Sequence, residues 1–156
     1  MKMLRNKMSM PKNILFIDDE KDITFTIKIT LEQTGLFHVD TLNDPDLALK
    51  RFKPNFYAVL LIDIMMPKMG GFELYEQLKK IDPDVKVCFL TASKMYHSEV
   101  RQVEHCALNE DLFLQKPISN EDLVREIDKK INGSVIRLSP EQNILKEKEP
   151  LVSTTL

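Results

Sequence analysis

Five polar side chains of the kinds that handle phosphate and metal ions each follow a short apolar run of the sequence. They are Asp18, Asp19, Asp63, Thr91 and Lys116. Continuous apolar runs are typical of buried parallel strands, and in an open parallel sheet ligands bind beyond the carboxyl ends of the strands. We therefore expect these five side chains to converge at one edge of a sheet.

The chemistry that such a cluster could perform is phosphoryl transfer onto a carboxylate. Three carboxylates that lie close together repel one another and require a cation, and ligands that are all oxygen favour Mg²⁺. The charges of Mg²⁺ and Lys116 together cancel those of the three carboxylates. Asp63 would then be the nucleophile that forms an aspartyl phosphate, while Lys116 and the Thr91 hydroxyl would contact phosphoryl oxygens.

Five apolar runs predict the strands that position these side chains. The runs cover residues 14–17, 37–42, 57–62, 85–90 and 112–114. Segments of ten to twenty residues, several with helical signatures, lie between them. This alternation of strand and helix predicts an α/β fold with a parallel sheet.

Two helices between the strands are indicated by residues at their ends. One has Asn43 or Asp44 as its cap, Pro45 in its first turn, and an end before Pro54. The other follows Gly70 and Gly71, and Asp82-Pro83 ends it.

The last helix carries the fullest set of end signals. Ser119 is the predicted N-cap, Asp122 resembles the second half of a capping box, and Ile118 with Leu123 would form a hydrophobic staple. Gly133 suits the C-terminal end, where a left-handed residue commonly follows the helix.

Residues 22–31 can be interpreted in two ways. Their polar and apolar residues alternate, which by periodicity alone indicates a strand. A helix would place Ile23, Ile27 and Leu31 on one face, with Asp22 as cap and Gly35 as stop. We favour the helix because a strand here would break the β/α alternation.

Composition limits the classes of partner. The chain has 156 residues, enough for one domain, and 22 basic against 24 acidic side chains, so nothing indicates a nucleic-acid or membrane surface. The first eleven residues form a basic extension. Cys88 and Cys106 have no metal-ligand spacing, which favours free thiols and a cytoplasmic location.

Four sequence motifs resemble the receiver domain of two-component response regulators. They are Ile-Leu-Phe-Ile-Asp-Asp-Glu (14–20), Leu-Ile-Asp-Ile-Met-Met-Pro-Lys-Met-Gly-Gly-Phe-Glu-Leu (61–74), Leu-Thr-Ala (90–92) and Phe-Leu-Gln-Lys-Pro-Ile (113–118). Their order and spacing make the resemblance specific, and we assign residues 12–133 to this domain. It implies a doubly wound, flavodoxin-like sheet of five parallel strands in the order 2-1-3-4-5.

The resemblance also implies roles for the acidic residues. A partner histidine kinase would phosphorylate Asp63. Asp19 and Asp63 would bind Mg²⁺ directly, together with the backbone carbonyl of Met65, and Asp18 would act largely through water.

Further roles follow from matching positions. Thr91 and Phe113 would be a switch pair, in which the hydroxyl moves to the phosphoryl group and the ring follows inward. Met65 and Ser93 occupy positions that tune the rate of dephosphorylation. The peptide between Lys116 and Pro117 would be cis.

The sequence also departs from the family. Gly70 stands where the family commonly has Asp, the segment 106–111 lacks the usual Gly-Ala, and the stretch from Thr91 to Lys116 is longer than is typical. The last two changes lie near the fourth helix. Because receivers dimerise and bind partners through the face of their fourth and fifth helices, any homodimer and the output pathway are the least transferable features.

Residues 134–156 differ in character from the rest and are predicted to be a disordered or loosely docked tail. Because they are too few for a helix-turn-helix module, we expect a stand-alone receiver that switches binding to another protein, with no nucleic acid or membrane as partner. A DNA-binding regulator without a recognisable output domain is one alternative. A phosphatase of haloacid-dehalogenase type is another, although it normally needs a second Asp where Met65 stands.

Overall fold

The computed structural model of the chain describes residues 10–92 and 112–133. Several sequence-based predictions lie outside these ranges. They concern most of the basic extension, Ser93, the helix expected between the fourth and fifth strands, Cys106, and the tail 134–156.

Strands and helices alternate along the described chain. In order they are β1 Lys12–Ile17, α1 Lys21–Glu32, β2 Phe37–Leu42, α2 Pro45–Arg51, β3 Val59–Asp63, α3 Gly71–Ile81, β4 Val87–Thr91, β5 Phe113–Gln115 and α4 Asn120–Asn132. The bounds of β2 are those predicted, whereas the other strands begin or end one or two residues from the predicted positions. None of these helices has the length and apolar character that crossing a bilayer requires.

The five strands form one sheet in the order β2-β1-β3-β4-β5, and every neighbouring pair is parallel. The predicted fold and strand order are therefore confirmed. Ile17 of β1 lies opposite Leu42 of β2 and Ile62 of β3, and Asp63 lies opposite Leu90 of β4. This register brings the carboxyl ends of the central strands side by side.

Both faces of the sheet are covered by helices. On β1, Leu15 and Ile17 belong to an apolar cluster with α2 and α3, while Ile14 and Phe16 belong to a second cluster with α1 and α4. All four side chains have no exposed surface. Burial on both faces explains why the strands are continuous apolar runs rather than alternating ones.

The segment 22–31 lies within α1, so the helical interpretation is confirmed and the strand alternative is wrong. Leu31 is buried against the sheet, whereas Phe25 remains 64% exposed, so the apolar residues are divided between two faces of the helix. The prediction that Asp22 caps this helix is wrong. Glu20 occupies the N-cap position, and Asp22 lies in the first turn, where its charge favours the positive end of the helix dipole.

The predicted ends of the other helices agree with the structure, except that Gly71 is the first residue of α3 rather than a residue before it. Asp44, rather than Asn43, is the N-cap of α2, and its carboxylate accepts the Asp46 N–H. The Ser119 hydroxyl caps α4 by accepting the Asp122 N–H at 3.1 Å. Gly133 ends α4 with a φ of 68°, a left-handed conformation that glycine adopts without strain.

Candidate functional site

The five residues that the sequence singles out all lie at the carboxyl edge of the sheet. Asp18 follows β1, Lys116 follows β5, and Asp63 and Thr91 are the last residues of β3 and β4 rather than the first residues after them. The backbone of β4 and the lysine are linked directly, because the Lys116 N–H donates to the Thr91 carbonyl at 2.8 Å.

Three carboxylates form the acidic part of the site. Asp18, Asp19 and Asp63 each offer an oxygen, and these oxygens lie within 4.8 Å of one another. Asp18 is fully buried, Asp63 is 6% exposed and Asp19 is half-buried. A compact set of oxygen donors with one side open to solvent fits a hard divalent cation such as Mg²⁺, which keeps several of its water ligands.

Lys116 faces two of these carboxylates. Its Nζ lies 3.2 Å from Asp18 Oδ2 and 3.4 Å from Asp63 Oδ1. Burial lowers the pKa of Lys116, but the charges of Asp63 and Asp18 outweigh it and raise that pKa above its usual value. The side chain is therefore a permanent positive charge at the edge of the site.

One lysine does not balance three carboxylates. Burial, the charge of Asp18 and, more weakly, that of Asp19 raise the pKa of Asp63 to about 6, although Lys116 acts in the opposite direction. A carboxyl group perturbed in this way by desolvation and by like charges is typical of a functional site. A divalent cation would supply the missing positive charge.

Both oxygens of the Asp18 side chain have partners within the protein. Oδ1 accepts the backbone N–H of Glu20 at 2.9 Å, and Oδ2 faces the Lys116 ammonium. Asp63 faces the same ammonium through Oδ1 at 3.4 Å, and Met65, two residues further on, has an exposed side chain.

Thr91 and Phe113 are both buried. Thr91 is 1% exposed and Phe113 is 9% exposed. The Phe113 ring stacks on Phe89 with 5.6 Å between centroids and meets the edge of Phe72 at 6.0 Å. The ring therefore occupies an inward position in this structure, and the Lys116–Pro117 peptide that follows β5 is cis, as the resemblance implies.

The loop after β3 is closed by a close backbone approach that the sequence did not predict. The Gly71 N–H donates to the Ile64 carbonyl at 3.0 Å. A Cβ at Gly71 would lie 2.5 Å from the Asp63 backbone oxygen, so only glycine fits there. The sequence offered Asn43 only as a helix cap. It did not predict that the Asn43 side chain contacts the acidic site, where its Nδ2 donates to the Asp18 carbonyl at 2.7 Å.

Comparison with known proteins agrees with this geometry. The family described as the response regulator receiver domain matches residues 14–128 of the chain. The chain belongs to this family, whose members act in two-component signalling.

Some curated relatives match this chain over nearly their whole length, and others over only about half of it. The response regulator receiver protein CpdR of Brucella abortus is 33% identical over 118 residues, which are 76% of this chain and 95% of that protein. The transcriptional regulatory protein CpxR homolog of Haemophilus influenzae is 31% identical over 84% of this chain but only 54% of its own length. The chain thus spans about half the length of several curated relatives.

Solved structures show the same fold. A receiver domain protein from Clostridium thermocellum has a TM-score of 0.64 and 28% identity, and the match covers 86% of this chain and 98% of that one. The response regulator TrrA from Thermotoga maritima, solved in complex with Mg²⁺ and BeF, has a TM-score of 0.64 and 30% identity, covering 76% of this chain and 97% of that one.

Proposed function

We propose that this domain accepts a phosphoryl group from a histidine kinase on the carboxylate of Asp63, in a reaction that depends on Mg²⁺. The observation that carries the proposal is the placement of Asp63, nearly buried at the end of β3 between two carboxylates and a lysine. This is the arrangement that a nucleophile and its charge-neutralising groups require.

The proposed assignment of ligands follows from the hydrogen bonds of the site. Asp19 and Asp63, with the Met65 backbone carbonyl, would hold Mg²⁺ directly. Asp18 would act through water, since Glu20 and Lys116 already engage both of its oxygens. When bound, the metal would neutralise phosphoryl oxygens.

The chain's own residues would perform the transfer. An Asp63 oxygen attacks phosphorus in line with the leaving imidazole, the P–N bond of the phosphohistidine breaks, and the electron pair leaves with the ring nitrogen. Lys116 pairs with a phosphoryl oxygen and the Thr91 hydroxyl donates to another. The same groups would accept phosphate from a small acyl phosphate and would later release it to water, at a rate tuned at Met65 and Ser93.

We propose further that phosphorylation shifts an existing equilibrium between two states of Thr91 and Phe113. The contacts of Phe113 with Phe89 and Phe72 support the proposal, because they hold the ring in an inward position. Relaxation-dispersion NMR of the unmodified protein should detect exchange at these two residues. A single rigid state at both of them would contradict the proposal.

The experiment that tests the proposed function is incubation with acetyl phosphate and Mg²⁺, followed by intact-mass measurement. We expect one phosphoryl group per chain, none in excess EDTA, and none in the Asp63→Asn variant. Continued turnover of many phosphomonoesters would instead indicate a phosphatase of haloacid-dehalogenase type.

The downstream target is proposed to be a protein. Several relatives are named transcriptional regulators, so DNA is the alternative target to test. A mobility-shift assay with duplex DNA, using the phosphorylated and unmodified protein at two salt concentrations, should show no retained complex. Binding that weakens steeply with salt would contradict the proposal.

A further inference from the structure

Asn43 connects the end of β2 to the acidic site. Its Nδ2 donates to the backbone carbonyl of Asp18 at 2.7 Å and to the Thr24 hydroxyl oxygen at 3.0 Å. Leu42, which precedes Asn43, binds the other backbone polar group of Asp18. The Asp18 N–H donates to the Leu42 carbonyl at 3.2 Å. Two consecutive residues thus bind both backbone polar groups of Asp18.

Thr24 orients the amide of Asn43. The threonine is 2% exposed, and its hydroxyl donates to the Lys21 carbonyl at 3.1 Å. Its proton is therefore engaged in the first turn of α1, and its oxygen is left to accept from Asn43. The Asn43 amide group therefore has two acceptors, one in the segment that contains Asp18 and Asp19 and one in α1.

We infer that Asn43, oriented by Thr24, is a positioning residue that sets the direction of the Asp19 carboxylate. The carbonyl oxygen that Asn43 binds belongs to the peptide unit joining Asp18 to Asp19. Rotation of this peptide plane changes ψ of Asp18 and φ of Asp19, and so redirects the Asp19 side chain. The inference rests on the proposed function, in which Asp19 is a ligand of Mg²⁺.

The electrostatics of the site explain why such a restraint is needed. Asp18 and Asp63 repel the Asp19 carboxylate, which is only half-buried. A neutral amide restrains the backbone without adding a fourth charge. Groups that orient metal ligands in this way typically change metal affinity by about tenfold or more when they are removed.

The test measures Mg²⁺ affinity by isothermal titration calorimetry on the full chain. Asn43→Ala should bind Mg²⁺ about tenfold more weakly than the wild type. Thr24→Val, which keeps the shape but loses the hydroxyl, should weaken binding in the same direction, and Thr24→Ser should restore it. Asn132→Ala is the matched control, because that amide also donates to a protein oxygen but lies on the exposed end of α4.

A second readout separates positioning from general damage. With acetyl phosphate as donor, the phosphorylation rate of Asn43→Ala should recover at saturating Mg²⁺, and NMR should show altered amide shifts for Asp19 in Thr24→Val. If Asn43→Ala does not fold, the Thr24→Val and Thr24→Ser pair still decides the question.

Either of two results would overturn the inference alone. Wild-type affinity in both Asn43→Ala and Thr24→Val would show that the amide does not position the ligand. Equal losses in Thr24→Val and Thr24→Ser would show that packing, not the hydroxyl, is what matters. A wild-type protein that binds no Mg²⁺ and takes up no phosphoryl group would overturn the proposed function as well.

Discussion

Asp63 lies where a negative charge is unfavourable in the absence of metal. It is 6% exposed, and its oxygens lie close to those of Asp18 and Asp19. The raised pKa of about 6 reports that the folded protein disfavours the ionised form. The crowding of carboxylates at the proposed phosphorylation site therefore lowers the stability of the metal-free fold.

Replacing Asp63 by Asn should consequently stabilise the metal-free protein. At pH 7 and in EDTA we expect the free energy of unfolding to rise by about 2 kcal/mol, because one of three crowded charges is removed. Urea denaturation measures this change. Asp40→Asn is the control and should not stabilise, because Asp40 accepts a hydrogen bond from the Tyr57 hydroxyl. A less stable Asp63→Asn protein would contradict the electrostatic account.

Gly70 and Gly71 offer a matched pair of substitutions. An alanine Cβ at Gly71 would lie 2.5 Å from the Asp63 carbonyl oxygen, whereas one at Gly70 would lie 3.5 Å from the Ile64 carbonyl oxygen, an ordinary contact. We expect Gly71→Ala to lose about 2–3 kcal/mol of stability and Gly70→Ala to lose less than about 1 kcal/mol. Thermal unfolding of both variants tests the difference, and equal stabilities would show that the loop has room.

At the scale of elements, α1 protects the edge of the sheet. Among the described strands β2 lies at the edge of the sheet, so Val39 has a neighbouring strand there on one side only. Glu32 accepts the Val39 N–H at 2.9 Å, and Lys28 donates to the Val39 carbonyl at 2.6 Å. Edge strands with free backbone groups are prone to aggregation. Glu32 and Lys28 reduce this risk, because they bind the Val39 N–H and carbonyl in place of a neighbouring strand.

The hydrogen bond between Glu32 and the Val39 N–H predicts that the stability of the fold depends on pH. The bond from the Val39 N–H lowers the pKa of Glu32 below its usual value, with Lys28 acting in the same direction. The contribution to stability is therefore present above the pKa of the unfolded chain and is lost as the pH falls through the lower folded value. Glu32→Gln should cost about 1 kcal/mol at pH 7, and the cost should disappear in acid.

Chemical denaturation at a series of pH values measures the Glu32 effect. Glu126→Gln is a suitable control, because Glu126 pairs with Lys129 only at 3.8 Å on the helix surface. A cost for Glu32→Gln that does not change with pH would mean that packing, and not the charge, produces the effect.

The elements show where prediction from sequence succeeds and where it fails. The strand order was predictable from the motifs, through the family that they resemble. The positions where strands begin and end were not predictable from the apolar residues, because burial of a side chain and pairing of the backbone are different properties. Tyr57 and Val85 are buried yet precede their strands, whereas Lys12 is exposed yet lies in β1, since its N–H donates to the Leu36 carbonyl at 2.9 Å.

The same limit applies to the site. The convergence of its five side chains was predictable because each stands at or beside a strand end in a parallel sheet. The role of Asn43 was not predictable, since an Asn before a helix is a good cap and only the packing of β2 against β1 brings its amide to Asp18. The Gly71 contact likewise depends on the path of a loop.

In the part of the chain that the structure describes, the sheet is packed between helices on both faces and carries the site at one edge. Membership of the receiver family is established by residues 14–128. Three further points remain predictions. They are that the receiver stands alone, that the tail is disordered or loosely docked, and that any dimer uses the face of the fourth and fifth helices.

The most direct test of the proposed phosphorylation of Asp63 is to locate the phosphoryl group in the sequence. After phosphorylation with acetyl phosphate and Mg²⁺, borohydride reduction converts an aspartyl phosphate to homoserine, which peptide mass spectrometry then places in the sequence. We expect homoserine at position 63 alone, and none at positions 18 or 19. A phosphoryl group at any other position, or none at position 63 in the presence of Mg²⁺, would contradict it.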